Sequence, residues 1–356
     1  MGENFGNDNK SALQAKLDAQ KIAFAPIMFQ AARALRDLGI LEYLLKNNSK
    51  GAEIETIADD LEISVYGVKV LLEAGLSLEL VQLINGKFSI TKTGYFMVSD
   101  ELTRVNMDFT NDVNYLGMMH LKESIKKGKP EGLKVFGKWD TVYEALSELP
   151  DNVRKSWFAF DHFYSDYAFP EVMPYIFTDH PKKILDVGGN TGKFSIFCAS
   201  HKPDIKLTIL DLPGQVKEAM VNIKENQLED RISTHGLNLL DNSKPFPKGY
   251  DAIWMSQFLD CFSQDEILGL LKRSYEALED DGSLFILETY WDKQAYPAST
   301  YSLHATSLYF TAIANGNSQM YHSNDMVKLV DSSGLYVDQI VENIGVSHTL
   351  FKCKRK

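Results

Sequence analysis

Apolar positions near the N-terminus recur at helical spacing. In the stretch "IMFQAARALRDLGILEYLL", Ile27, Ala31, Leu35 and Leu38 fall on one face. The helical pattern runs from about residue 13 to 47, with Pro26 opening a fresh helix and Gly39 closing it. Two short helical patterns follow. Two alternating runs, "LVQLI" and "KFSIT", are then joined at Asn85-Gly86, the dipeptide that favours a tight hairpin. Helix, turn, helix, hairpin predicts a winged helix. Residues 101–180 read as mainly helical and rich in aromatic side chains. From Lys182 the pattern changes to short apolar runs, "KKILDVGG", "IKLTILDL", "YDAIWMSQ" and "GSLFILETY", separated by helical stretches. That alternation predicts a mainly parallel sheet covered by helices. The C-terminal "GLYVDQIVENIGVSHTLFKCKRK" predicts two strands joined by a tight turn.

The expected organisation is a domain over residues 1–110, a helical connecting region over 111–180 and an α/β domain over 181–356. Composition adds limits. The 356 residues are 44% hydrophobic and carry a formal net charge of −11, a poor basis for binding nucleic acid or anionic membrane. Residues 1–110 hold 11 Lys and Arg against 15 Asp and Glu, and Lys69 is the one cation of the candidate recognition helix. A winged-helix DNA regulator is therefore disfavoured, since DNA affinity rests on neutralising phosphates. A dimerisation surface accounts for the same apolar helix. Three scattered cysteines, Cys198, Cys261 and Cys353, point to neither a disulfide framework nor a metal site, and fit a reducing cytoplasm. The first residues lack the apolar core of a signal peptide.

The chemistry concentrates at two strand tips. "ILDVGGNTGKFSI" fails the dinucleotide fingerprint and the P-loop, because neither glycine spacing fits. It leaves Asp186, Gly188, Gly189 and Gly192 around Asn190. A carboxylate at that tip would repel a pyrophosphate and suits a ligand that brings an ammonium or hydroxyls. Asp211 ends the next strand, where an acidic side chain can accept bonds from ribose hydroxyls. The pair points to a nucleoside ligand.

These motifs resemble those of class I S-adenosylmethionine-dependent O-methyltransferases, of the plant caffeic acid and the bacterial polyketide or hydroxyindole type. "LDVGGNTG" is similar to the first cofactor motif, with Asn190 in place of a glycine. "LDLP" is similar to the ribose motif, and residues 247–288 to the catalytic stretch. The resemblance implies a Rossmann-like seven-stranded domain behind a winged-helix homodimerisation domain. It also implies S-adenosyl-L-methionine as cofactor and a small aromatic or polyketide-like acceptor. Leu212, Asn238, Leu239 and Ser256 join the implied cofactor set, with Asp241 as an alternative to Asn238. The family histidine falls on Asp260, and one flanking glutamate on Glu288. The second flanking position falls near Met320. His304 is a further catalytic candidate beside Asp260 and Glu288; it and His162 lie in segments implied to line the acceptor pocket, and His162, Phe258 and Met320 are the expected acceptor contacts.

Ser263 and Glu266 have capping-box spacing, so Asp260 is not needed as a helix cap. It is left as a base, a polar substrate contact or a solvated loop carboxylate. The missing histidine keeps open a relative that binds the cofactor without transferring methyl. No metal-ligand spacing supports a magnesium-dependent mechanism.

Overall fold

The computed structural model describes residues 8–165 and 168–356. The remainder of the polar N-terminal stretch, and residues 166–167 of the aromatic run, lie outside the described residues. The chain divides into one compact unit ending at Asn111 and a second from Asp112 to Lys356.

In the first unit, helices α1 (Ala12–Ala23), α2 (Ala25–Asp37), α3 (Ile40–Lys46), α4 (Ile54–Leu61) and α5 (Val65–Ser77) precede a hairpin of β1 (Val81–Ile84) and β2 (Lys87–Ile90). Helices α6 (Lys92–Ser99) and α7 (Glu101–Phe109) follow. Pro26 sits in the first turn of α2, where its missing N–H leaves no helical bond unmade. Gly39 takes a left-handed φ of 77° between α2 and α3. Asn85 and Gly86 both have positive φ, 50° and 79°, as a tight hairpin turn requires. Leu35, Ile40, Leu41, Leu44, Ile57 and Leu72 are fully buried and make the centre of this unit's core. Helix α1 buries nothing within the unit, and it exposes Leu13, Leu17 and Ile22.

The second unit opens with short helices α8 (Leu121–Lys127) and α9 (Val142–Ala145), then α10 (Asp151–Ser165) and α11 (Phe169–Ile176). A seven-stranded sheet follows, with β3 (Lys183–Val187), β4 (Lys206–Asp211), β5 (Ile232–Gly236), β6 (Tyr250–Ser256), β7 (Leu278–Glu288), β8 (Leu335–Ile344) and β9 (His348–Arg355). The spatial order is β5-β4-β3-β6-β7-β9-β8. All pairings are parallel except those of β9 with β7 and β8. Helices α12 (Lys193–His201), α13 (Pro213–Glu225), α14 (Gln264–Ala277), α15 (Pro297–Tyr309) and α16 (Ser323–Ser332) complete it.

Strands β3 and β6 read as continuous apolar runs because both their faces are covered. Two clusters lie on opposite sides of the sheet, one around Leu185, Ile253 and Ile286, the other around Ile184, Trp254 and Phe285. Neighbouring residues of each strand thus serve different faces. The strand order reverses between β3 and β6, so the helices that follow them diverge and open a crevice at the strands' carboxyl ends. Among the described residues no helix is long and apolar enough to cross a membrane.

Gly94 in α6 shows how tightly the first unit is packed. A Cβ there would lie 2.2 Å from the Leu80 carbonyl oxygen. Gly94→Ala is expected to lower stability by about 2 kcal/mol, as overpacking does. A chemical denaturation midpoint unchanged from wild type would contradict that packing.

Candidate active site

The crevice holds a cavity of about 440 Å³, with a smaller recess of about 100 Å³ sharing several of its walls. Three strand tips build them. Asp186, near the end of β3, is buried, and its Oδ2 accepts from Ser195 Oγ of α12 at 2.6 Å. Burial pushes its carboxyl up to about 7, against the pull of the Ser195 bond, and the charge of Asp211 adds to the rise. The turn after β3 carries positive φ at Gly188, Asn190 and Gly192. Asparagine is among the few residues other than glycine that adopt this conformation readily, so Asn190 can replace a glycine there.

Asp211 closes β4. Its Oδ2 accepts the Asn190 N–H at 2.8 Å, and its Oδ1 accepts the Leu212 N–H at 2.6 Å. One carboxylate thus locks two turns together. Burial raises its pKa, and these backbone bonds oppose the rise. Asn190, Asp211, Leu212, Asn238 and Leu239 all line the large cavity. Leu237 instead points into the core, and Asp241 is not among the cavity's lining residues. The Asp241 carboxylate accepts bonds from Ser243.

The recess is lined by Asp186, Gly188, Gly189, Asn190 and Ser256, and by Asp161, His162 and Lys193. Lys193 Nζ stands 3.2 Å from His162 Nδ1. Acid and amine therefore face the same small space. The large cavity thus presents the Asp211 carboxylate, the Asn238 amide and the side chains of Leu212 and Leu239, and the recess presents both acid and amine.

The third tip carries Asp260. Strand β6 ends at Ser256, and Gln257 turns the chain with a φ of 46°. A short 3-10 turn, Leu259–Cys261, then precedes α14. Glu288, at the end of β7, holds this turn. Its Oε1 accepts the backbone N–H groups of Phe258 at 3.0 Å and Leu259 at 2.8 Å. Its Oε2 is buried with no hydrogen-bond partner among the described residues. Burial, and then the charge of Asp260, push its carboxyl above the usual carboxylate range, and the backbone bonds oppose the rise. Asn315 and Tyr321 add bonds to the carbonyls of Cys261 and Phe262. Ser263 and Glu266 form the expected capping box.

Asp260 is 8% exposed and lines the large cavity. Burial pushes its carboxyl up to about 7, and the charge of Asp161 adds to the rise. The Cys261 thiol, 3.5 Å from Oδ1, opposes it.

Of the other expected site residues, Phe258 and Met320 line the large cavity, and Thr289 Oγ1 lies 3.4 Å from Met320 Sδ. His162 faces the recess instead, with its ring stacked on Phe158. His304 does not line the cavity. Helix α15 turns Leu303 and Thr306 inward and leaves His304 exposed, its ring centroid 5.0 Å from Trp291. That placement removes it from the catalytic set. Glu288 acts through the turn it grips and is not itself among the lining residues. Trp157, Phe160 and Asp161 of α10, and Tyr143 of α9, line the cavity without having been singled out in the sequence. The i, i+3, i+4 spacing of Trp157, Phe160 and Asp161 was the available signal, but it reads equally as core packing.

Comparison with known proteins agrees with this geometry. Residues 16–88 match a Dimerisation2-like domain, and residues 118–335 match an O-methyltransferase domain. The L-tyrosine C(3)-methyltransferase of Streptomyces lavendulae is 24% identical over 315 residues, 86% of this chain and 84% of that one. The caffeic acid 3-O-methyltransferase of Medicago sativa is 25% identical over 297 residues, 77% of each chain. Among solved structures, the apo form of the S-adenosylmethionine-dependent methyltransferase SibL superposes with a TM-score of 0.72 at 22% identity, covering 94% of this chain and 98% of that one. The O-methyltransferase NcsB1, in complex with S-adenosylmethionine and 2-hydroxy-5-methyl naphthoic acid, has a TM-score of 0.64 at 17% identity, covering 92% and 96%. This chain belongs to the O-methyltransferase family and is a methyltransferase dependent on S-adenosylmethionine.

The buried carboxyls have a consequence for stability. Asp260 binds its proton more tightly folded than unfolded, where its pKa is near 3.9. Its contribution is therefore fully present below that value and is lost as pH rises through about 7. Unfolding free energy of the ligand-free protein is expected to fall between pH 4 and pH 7. The fall should be shallower in Asp260→Asn. Equal slopes for the two proteins would contradict the raised value.

Proposed function

We propose that the enzyme methylates a hydroxyl of a small aromatic acceptor bound in the large cavity, with Asp260 taking the hydroxyl proton. The carrying observation is the buried Asp260 carboxyl, set at the tip of β6 where it lines the large cavity beside Phe258 and Phe262, with burial lifting its pKa to about 7. A phenol has a pKa near 10, and an aspartate at its ordinary value is a weak base toward it. Burial that lifts Asp260 to about 7 brings it into the range a general base needs. Glu288 is a positioning residue. It holds the turn that carries Asp260 through the two backbone N–H groups it accepts.

Bound S-adenosylmethionine supplies an electrophilic methyl on a sulfonium. We assign its ribose to Asp211, its adenine to Leu212, Asn238 and Leu239, and its amino-acid end to the recess of Asp186, Gly188, Gly189, Asn190 and Ser256, while Gly192 lines neither space and serves the turn through its positive φ. Lys193 and His162 would take the carboxylate. Phe258, Met320 and Trp157 would orient the acceptor ring and exclude water, which in-line displacement requires.

A second reading concerns the methylated atom. The relatives include the tyrosine C(3)-methyltransferase and the bacteriochlorophyllide d C-20 methyltransferase of Chlorobaculum tepidum. Removing a phenolic proton also activates the neighbouring ring carbon, so the same Asp260 could serve C-methylation. Product structure by NMR separates the two.

We further propose residues 1–110 as a homodimerisation domain, 111–180 as the acceptor-pocket region and 181–356 as the cofactor domain, in a protein of the reducing cytoplasm. The dimer reading is supported by α1, which leaves Leu13 82%, Leu17 50% and Ile22 76% exposed. Charged groups on that face would desolvate badly in an interface. Leu13→Asp combined with Leu17→Asp is expected to convert a dimer to a monomer in light scattering. A wild-type protein already monomeric at micromolar concentration would end this reading.

For catalysis, Asp260→Asn is expected to lower kcat by about 10²–10⁴-fold. In the wild type kcat should rise with pH through about 7, and that limb should vanish in the variant. Full activity in Asp260→Asn with a methylated product would remove Asp260 from the role of base.

A further inference from the structure

The residue just past the tip of β6 sits in a backbone conformation that its side chain disfavours. Gln257 has a φ of 46°, in the left-handed region that glycine and asparagine visit most readily. A glutamine held there is strained, and such strain persists only where the surroundings over-determine it. Here they do. The Gln257 N–H donates to the Leu287 carbonyl at 2.9 Å, and the next two N–H groups, of Phe258 and Leu259, donate to Glu288. Three successive amides are thus held by the last two residues of β7. Glycine would meet the same backbone demand without strain. What glutamine adds at this point is a carboxamide.

That carboxamide has a defined place. Gln257 lines both the large cavity and the recess, together with Asp161, Gly188 and Asn190. The Gln257 side chain makes no hydrogen bond to another described residue. The Asp161 carboxylate, by contrast, is already engaged, with His162 Nδ1 lying 3.9 Å away. Asn190 also has a positive φ, 48°, but asparagine adopts it readily. Strain and an open amide therefore single out Gln257 on the wall that the two spaces share.

We infer that the Gln257 carboxamide oxygen faces the cofactor's sulfonium and makes the site prefer the charged methyl donor to the neutral thioether left after transfer. The inference rests on the placement of the cofactor proposed above, with its nucleoside in the cavity and its amino-acid end in the recess. Those two parts of S-adenosylmethionine are joined at sulfur, so the wall shared by the two spaces is where the sulfonium lies. An amide oxygen carries partial negative charge, and a fixed dipole aimed at a cation acts more strongly in a buried site than in water. Transfer of the methyl removes the charge and with it the attraction. The ribose, base and amino-acid contacts are common to donor and product, so they hold both alike. Preference is a difference of affinities, and Gln257 is placed to supply it.

Calorimetry on the full chain without acceptor reads S-adenosylmethionine and S-adenosylhomocysteine separately and without turnover. Gln257→Leu keeps the bulk and removes the dipole. It is expected to weaken S-adenosylmethionine binding about tenfold and S-adenosylhomocysteine binding less than about twofold. Gln257→Asn, with the amide on a shorter arm, should retain part of the preference. Gln257→Gly removes the side chain and the strain together. Its ligand-free form is expected to unfold at the same or a higher denaturant concentration than wild type, while showing the selective loss of Gln257→Leu. Equal weakening of both ligands in Gln257→Leu, or of neither, overturns the inference. So does a Gln257→Gly protein that keeps the wild-type preference or unfolds at a clearly lower denaturant concentration. Asp211→Asn examines the placement itself and should weaken both ligands alike. If both bind it as they bind wild type, the placement of the cofactor fails, a result distinct from any change in the ratio at Gln257.

Discussion

A carboxyl sealed from water at the end of β7 grips the backbone of the neighbouring strand's exit. Glu288 accepts two N–H groups from Phe258 and Leu259, and the rest of the site depends on that grip. The turn it holds must pass very close to the glycine turn of β3. A Cβ on Gly188 would lie 2.3 Å from the Phe258 ring. Two adjacent parallel strands thus deliver their loops to one point, and each loop is shaped by the other. Glycine is required on one side, and a buried acceptor for backbone donors on the other. An unpartnered backbone N–H in this apolar setting would be costly. Glu288 meets that need while its own second oxygen stays buried without a partner among the described residues.

The same burial governs the chemistry. Histidine has an ordinary pKa near 6.5, which makes it a ready base at neutral pH. Asp260 reaches about 7 by a different route, because desolvation and a neighbouring carboxylate penalise its charge. In the proposed mechanism the protonation window is similar while the charge logic is reversed. A histidine base becomes cationic when it takes a proton, whereas Asp260 becomes neutral. A site built this way tolerates positive charge in its ligands before proton transfer. That fits a sulfonium donor.

Strand order supplies the crevice, and helix facing decides what enters it. Helices α10 and α15 both carry histidines, and neither histidine lines the large cavity. One periodicity turns Trp157, Phe160 and Asp161 toward the cavity and leaves His162 at the recess. The other turns Leu303 and Thr306 inward and His304 to the surface. Choosing candidate bases by residue type alone favours such histidines. The rotation of a helix about its axis is set by which of its faces is apolar enough to bury, and that depends on its neighbours.

Much of the fold was legible locally. Asn85-Gly86 specifies a tight turn through its positive φ angles, Pro26 and Gly39 punctuate helices, and the continuous apolar runs of β3 and β6 signal strands covered on both faces. Asp186, Asn190 and Asp211 could be read as ligand-facing because a strand tip followed by a glycine turn has few geometries open to it. These features follow from short-range backbone sterics, so the sequence by itself determined them. It left Asp260 with three possible roles and gave no sign of Asp161. Only the tertiary structure decided that both carboxyls line one cavity and that Glu288 acts on a turn rather than on the cavity. Burial and pairwise charge depend on side chains from segments a hundred residues apart, and no local pattern encodes that juxtaposition.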